Sequence, residues 1–137
     1  MPSSKLTAAQ RDSLLSAARQ ALKRAYAPYS NFHVGAAVLT DKGEIFSGCN
    51  VENASYGLTN CAERSAIFTA VQSTKAAKLV IRAVAVVNGN DVPCSPCGAC
   101  RQVIFEFGEN AIVIFQGQKD YLEMPIQDLL PESFRLS

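Results

Sequence analysis

A chain of 137 residues, 48% of them hydrophobic and 18% charged, has the composition of a folded globular protein and not of a disordered one. Its length suits one domain over residues 1–137 that buries roughly two-thirds of the surface its unfolded chain would expose. Thirteen basic residues against twelve acidic ones leave a formal net charge of +1, with no basic stripe of the kind that tracks a phosphate backbone, so the expected partner is a small, nearly neutral molecule and no nucleic acid. Met1–Lys5 has no apolar signal core. Ala83 to Val87, an unbroken apolar run as long as any in the chain, is far too short to span a bilayer. These features imply no membrane partner and a cytoplasmic location, where thiols stay reduced.

In chain order, Thr7 with Gln10 predicts a capping box that opens a first helix. Leu14, Leu15, Ala18, Ala21, Leu22 and Ala25 then recur at helical spacing, with Arg11, Arg19 and Lys23 largely opposite. Pro28 ends it. Val34 to Thr40 reads as a strand, Asp41-Lys42-Gly43 as a hairpin turn, and Glu44 to Gly48 as the returning strand. A polar loop, Asn50 to Asn60, leads to a second helix from about Cys61 to Gln72. Ile81 to Val87, β-branched residues and alanine, is the pattern of a central strand buried on both faces. After a turn-rich loop, Asn88 to Pro96, a third helix runs from about Cys97 to Phe107 and stops at Gly108. Ala111 to Phe115 reads as another buried strand, Tyr121 to Met124 as a weak fifth, and Pro125 to Leu130 as a short last helix with Pro125 in its first turn. The order αββαβαβα predicts a mixed sheet covered by helices on both faces.

Five cysteines cannot all pair within one chain, and metal binding is the better account of three. Cys61, Cys97 and Cys100 suit a tetrahedral Zn²⁺ with its fourth position left open, as a catalytic site requires; a structural site would use four protein ligands. Cys97 and Cys100, three apart, share one helix face. Helix N-termini favour thiolate over thiol, a reason for ligands to sit at two helix starts. Cys94-x-x-Cys97 has the same spacing as Cys97-x-x-Cys100. Pro96 and Gly98, which let a loop turn sharply into a helix, favour the second pair. That leaves Cys94 as a bystander and Cys49 as a small core residue. A redox pair, or three cysteines that are simply buried, are the competing readings. Glu63, two residues beyond Cys61, is placed to move protons at the open position, although a Glu in a first turn also complements the helix dipole. Three thiolates make a zinc-bound water less acidic. Arg64 and Arg101, if they hydrogen-bond the sulfurs, draw electron density off them and offset that.

The motifs Phe32-x-Val34-Gly35-Ala36, Asn50-Val51-Glu52-Asn53-Ala54, Cys61-Ala62-Glu63-Arg64 and Ser95-Pro96-Cys97-Gly98-Ala99-Cys100-Arg101-Gln102 together resemble the cytidine deaminase family. The resemblance runs from about Ala27-Pro28-Tyr29-Ser30 to Leu129-Leu130-Pro131. It implies a three-layer α/β/α fold with a mixed five-stranded sheet, and zinc-dependent hydrolytic deamination of cytidine and 2′-deoxycytidine in pyrimidine salvage. It implies one Zn²⁺ per chain on Cys61, Cys97 and Cys100, with Glu63 as proton donor and acceptor. Asn50 and Glu52 match a pair that hydrogen-bonds the ribose 3′-hydroxyl. Phe32 matches an aromatic stacked on the pyrimidine, and Val51 and Ala62 complete the substrate contacts. His33, the only histidine, is expected as an exposed strand residue. The three-cysteine members resemble homotetramers in which a neighbour completes each site, with Tyr56 and Phe134 in matching places. Pro125 departs from the family, where a Thr or similar cap is expected. A blasticidin S-type antibiotic deaminase shares the zinc motifs, and a zinc-stabilised interaction module without catalysis is the reading from a different class. An editing deaminase fits less well, for want of a basic channel.

Overall fold

Thr7 and Gln10 form the predicted capping box, the Thr7 hydroxyl accepting from the Gln10 N–H and the Gln10 side chain accepting from the Thr7 N–H. The computed structural model describes residues 6–74 and 78–136; the expectation for Met1–Lys5 lies outside them. The elements are α1 (Ala8–Leu22), β1 (Val34–Thr40), β2 (Ile45–Cys49), a 3₁₀ turn (Tyr56–Leu58), α2 (Ala62–Ser73), β3 (Ile81–Asn88), α3 (Gly98–Phe107), β4 (Ile112–Gln116), β5 (Tyr121–Pro125) and α4 (Ile126–Leu129). Among the described residues no helix is long and apolar enough to cross a membrane.

The sheet order is β2-β1-β3-β4-β5. Its β3–β4 pair is parallel, joined by the α3 crossover, and the other three are antiparallel. Alternation along the strands divides the core in two. Ala37, Leu39, Ala83, Ala85, Val87 and Ile114 face α1 through Leu14, Leu15 and Ala18. Ala36, Val38, Val84, Val86, Val113 and Phe115 face α2, α3 and α4 through Ala66, Ile67, Ile104 and Ile126. The result is the expected three layers. β3 is buried almost throughout, as its continuous apolar run requires. β5 is mostly exposed at the sheet edge, which is why its sequence signal is weak although it pairs with β4 along its whole length.

Several boundaries differ from expectation. α1 ends at Leu22 and not near Ala25 because the next residues join another structure: Tyr26 N–H donates to Asn50 O (3.0 Å) and Glu52 N–H to Tyr26 O (2.8 Å), a backbone pairing incompatible with helix. Pro125 ends β5 and caps α4 from outside, with extended ψ of 142°, instead of occupying the first turn. The Ile126 N–H, the first of the helix, donates to Ala111 O at 2.8 Å. Cys49 is half-buried on edge strand β2, not a core residue. His33 is half-buried just ahead of β1 instead of exposed within it. Cys61 and Cys97 are N-caps, one residue outside the helices they were expected to open.

Gly48 decides how α2 seats on the sheet. A Cβ there would lie 2.4 Å from Ala66 N and 2.7 Å from Ser65 C, both backbone atoms of α2. Gly48→Ala is therefore expected to push α2 outward and cost about 1–3 kcal/mol of stability, measured by denaturant unfolding. An unchanged midpoint would refute this close packing.

Candidate functional site

The polypeptide reverses at the carboxyl ends of parallel strands β3 and β4, the edge where open α/β sheets place their ligand crevices. The loop after β3 delivers Cys97 to the start of α3, and the loop after β2 delivers Cys61 to the start of α2. The sulfurs of Cys61, Cys97 and Cys100 all lie within 4.8 Å of one another. Cys61 Sγ is 3.9 Å from Cys97 Sγ, which is 3.2 Å from Cys100 Sγ. A tetrahedral zinc with Zn–S bonds near 2.3 Å sets its sulfurs about 3.8 Å apart, so Cys61 and Cys97 already have that spacing, while Cys97 and Cys100 open by about 0.6 Å to hold that ion. Cys97 also receives the Cys100 N–H at 3.4 Å, a free donor of the α3 N-terminus that suits a thiolate.

Electrostatics favour one sulfur anion here, on Cys61. Hydrogen bonding from the Cys100 thiol and from Arg64 brings Cys61 down to about 5, while the shared proton and burial push Cys100 up. Arg64 Nη2 donates to Cys61 Sγ at 3.1 Å. This places Arg64 against a sulfur, and Arg64→Gln, which removes the charge, is expected to weaken zinc binding about 10- to 100-fold in competition with a chelating dye. Unchanged affinity would count against that role.

Arg101 does otherwise. Its Nε donates to Pro96 O (2.8 Å), Nη1 to Leu129 O (2.8 Å) and Nη2 to Ser95 Oγ (3.0 Å). With its fork committed to three oxygens it ties the 95–96 loop to the end of α4, and the expected hydrogen bond to a thiolate is not made. Cys94 stands outside the triad. Its N–H pairs with Gln116 O, its Sγ is 4.0 Å from Ser95 O, and burial pushes its thiol up.

Glu63 is 5% exposed. Burial, with the neighbouring Cys61 sulfur, pushes its carboxyl up to about 7, against the pull of its own helix N–H, Arg64 and the Cys100 thiol. A carboxyl so placed both gives and takes a proton near neutrality. Ala62, expected among the substrate contacts, is fully buried in the core. Val51 is 45% exposed, its backbone bridged to both Tyr26 and Asn60.

Asn50 and Glu52 converge on one segment. Asn50 is buried; its Oδ1 accepts from Val34 N–H (2.9 Å) and its Nδ2 donates to Phe32 O (2.8 Å). Glu52 Oε1 accepts from Tyr29 N–H (2.9 Å) and Ser30 N–H (3.1 Å), and its Oε2 accepts from the Ser30 hydroxyl. That hydroxyl foremost holds the Glu52 carboxyl below the usual carboxylate range. Phe32 is half-buried. Ser30 carries no assignment in the sequence beyond its place in the Ala27–Ser30 motif. Its signal was local: a Ser two residues before another backbone N–H, after Pro, is turn chemistry. Tyr56 and Phe134 are 82% and 66% exposed, and among the described residues no hydrogen bond joins either to the triad, Glu63, Asn50 or Glu52; Gln102 donates to Phe134 O at 3.3 Å.

Known proteins carry the same architecture. A family model described as the cytidine and deoxycytidylate deaminase zinc-binding region matches residues 8–116, a span holding the triad and Glu63. A cytidine deaminase of Sporosarcina psychrophila is 44% identical over 125 residues, 90% of each chain. The crystal structure of cytidine deaminase from Burkholderia pseudomallei superposes with a TM-score of 0.80 at 47% identity, covering 94% of this chain and all of that one. A blasticidin-S deaminase of Bacillus cereus is more distant, 33% identical over 104 residues, 72% of this chain and 74% of its own. With the family model spanning most of the chain and the triad set in the region it describes, this protein belongs to the zinc-binding cytidine and deoxycytidylate deaminase family.

Proposed function

We propose that the chain is an enzyme that hydrolyses cytidine and 2′-deoxycytidine to uridine and 2′-deoxyuridine with release of ammonia, as a cytoplasmic step of pyrimidine salvage. The observation that carries it is Glu63, buried beside three sulfurs that suit one Zn²⁺. Zinc held by Cys61, Cys97 and Cys100 supplies the Lewis acidity that makes water nucleophilic near neutral pH. Glu63 performs the proton transfers: it takes a proton from the attacking water, gives it to ring N3, and passes the second water proton, from the hydroxyl now on C4, to the departing amino nitrogen. Its near-neutral carboxyl suits both directions.

The unused hydrogen-bonding capacity of Asn50 and Glu52 supports a ribose hydroxyl as their target. An amide has two N–H donors and two lone pairs, a carboxylate roughly four lone-pair sites. Asn50 has spent one donor and one lone pair on the Phe32–Val34 backbone. Glu52 has accepted three hydrogen bonds and keeps one site on Oε2. A hydroxyl that accepts from Asn50 and donates to Glu52 matches what is left. This pairing favours a plain ribose over a blasticidin-type sugar. Phe32, two residues after Ser30 on the same segment, is the proposed stacking partner of the base.

Assembly is part of the proposal. Tyr56, Leu58 and Phe134 are 82%, 70% and 66% exposed. A homotetramer in which Tyr56 and Phe134 enter a neighbour's site accounts for their exposure.

An absorbance assay of cytidine loss, with and without a strong chelator, tests the function. Chelator-sensitive turnover of cytidine and 2′-deoxycytidine is expected, with 3′-deoxycytidine roughly 10- to 100-fold poorer because the site's polar groups are left unpaired. Faster turnover of blasticidin S than of cytidine would move the chain to the antibiotic-deaminase reading. Zinc without turnover of either would favour an interaction module.

A further inference from the structure

The Ser30 hydroxyl stands between the two groups proposed to read the substrate. Its O–H donates to Glu52 Oε2, and its oxygen accepts the Phe32 N–H at 3.0 Å. A serine serving only its own turn would make the second of these bonds and leave its proton to solvent. Here the proton is spent on the one Glu52 oxygen that keeps a free site, since the backbone N–H groups of Tyr29 and Ser30 both bind Oε1. Phe32 is held from the other side too, its carbonyl accepting from Asn50 Nδ2 at 2.8 Å. Both peptide groups that orient Phe32 are thus held by members of the hydroxyl-reading cluster.

We propose that Ser30 is a positioning residue that fixes the Glu52 carboxylate for the ribose 3′-hydroxyl and, through the same oxygen, seats the backbone that carries Phe32. This rests on the reading of Glu52 given above. Two N–H groups on Oε1 anchor one oxygen and leave the other free to swing. The Ser30 proton aims the remaining lone pair of Oε2. Without it, water competes for Oε2 and the carboxylate reads a hydroxyl less sharply.

The test is the ratio of kcat/KM on cytidine to that on 3′-deoxycytidine, measured for wild type, Ser30→Ala, Ser30→Thr, Glu52→Gln and the Ser30→Ala/Glu52→Gln double variant. Ser30→Ala is expected to lower the ratio about 3- to 10-fold, the range of one hydrogen bond. Ser30→Thr, which keeps the oxygen, restores it. In the double variant the ratio falls no further than in Glu52→Gln alone, because the two act as a unit. Should Ser30→Ala fold poorly, Ser30→Cys, a weak donor of similar size, is expected to give an intermediate ratio. A loss common to both substrates belongs to Phe32 and should vanish in a Phe32→Ala background; if it persists there, the seating of Phe32 is overturned. If Glu52→Gln lowers the ratio and Ser30→Ala does not, the role of Ser30 is overturned while the reading of Glu52 stands. If Glu52→Gln leaves the ratio intact, the hydroxyl reading falls and takes this inference with it.

Discussion

Cys97→Ala is expected to lose zinc and turnover together, while Cys94→Ala keeps both. Cys97 is the middle member of the triad, 3.9 Å from Cys61 Sγ and 3.2 Å from Cys100 Sγ, and it receives an α3 N–H. Removing it leaves two sulfurs, too few to hold the ion against solvent when a zinc site wants at least three protein ligands. Cys94 has the same spacing to Cys97 that Cys97 has to Cys100, yet its backbone is paired to Gln116 on the rim of the sheet and its thiol is pushed toward the protonated form. Metal analysis should find about one zinc per chain in wild type and in Cys94→Ala, and almost none in Cys97→Ala. Zinc lost in Cys94→Ala but retained in Cys100→Ala would mean that the wrong pair has been chosen.

Glu63→Gln should show the opposite dissociation, with zinc retained and catalysis gone. The amide keeps the volume of a side chain that is 5% exposed, so packing around α2 is preserved, and no sulfur is altered. What disappears is the ability to hold and release a proton. Loss of one general acid–base group typically costs about 10²- to 10⁴-fold, and a group serving three transfers should fall at or beyond the upper end. Turnover within about tenfold of wild type, measured on protein shown to contain zinc, would remove Glu63 from the mechanism. The two variants together separate holding the metal from using it.

Much of this was legible in the chain itself. The capping box at Thr7, the buried run of β3 and the turn into α3 at Pro96-Cys97-Gly98 are local signals, set by side chains within a few residues of one another. The candidate metal centre was legible for the same reason: Cys61 with Glu63, and Cys97 with Cys100, are close pairs at helix starts, and only their meeting requires the fold. Less local matters read poorly. The end of α1 is not set by local spacing, because backbone pairing with Asn50 and Glu52, distant in sequence, takes Tyr26 out of the helix. Arg101 beside Cys100 looked like a partner for sulfur, but its three oxygens belong to Ser95, Pro96 and Leu129, the last of them 28 positions away.

By itself, then, the sequence determined which residues are chemically able to bind metal and carry protons, and which segments are helix or strand, because these depend on side-chain type and short-range periodicity. Tertiary structure alone decided how the polar groups are spent. Asn50 and Glu52 looked alike as loop residues, whereas the fold commits most of their capacity to residues 29–34 and leaves one donor and two lone pairs over. It also brought Ser30 into the cluster. The physical reason is that a hydrogen bond is a matter of distance and direction between groups far apart in the chain, and those are settled only when β1, β2 and the segments around them pack.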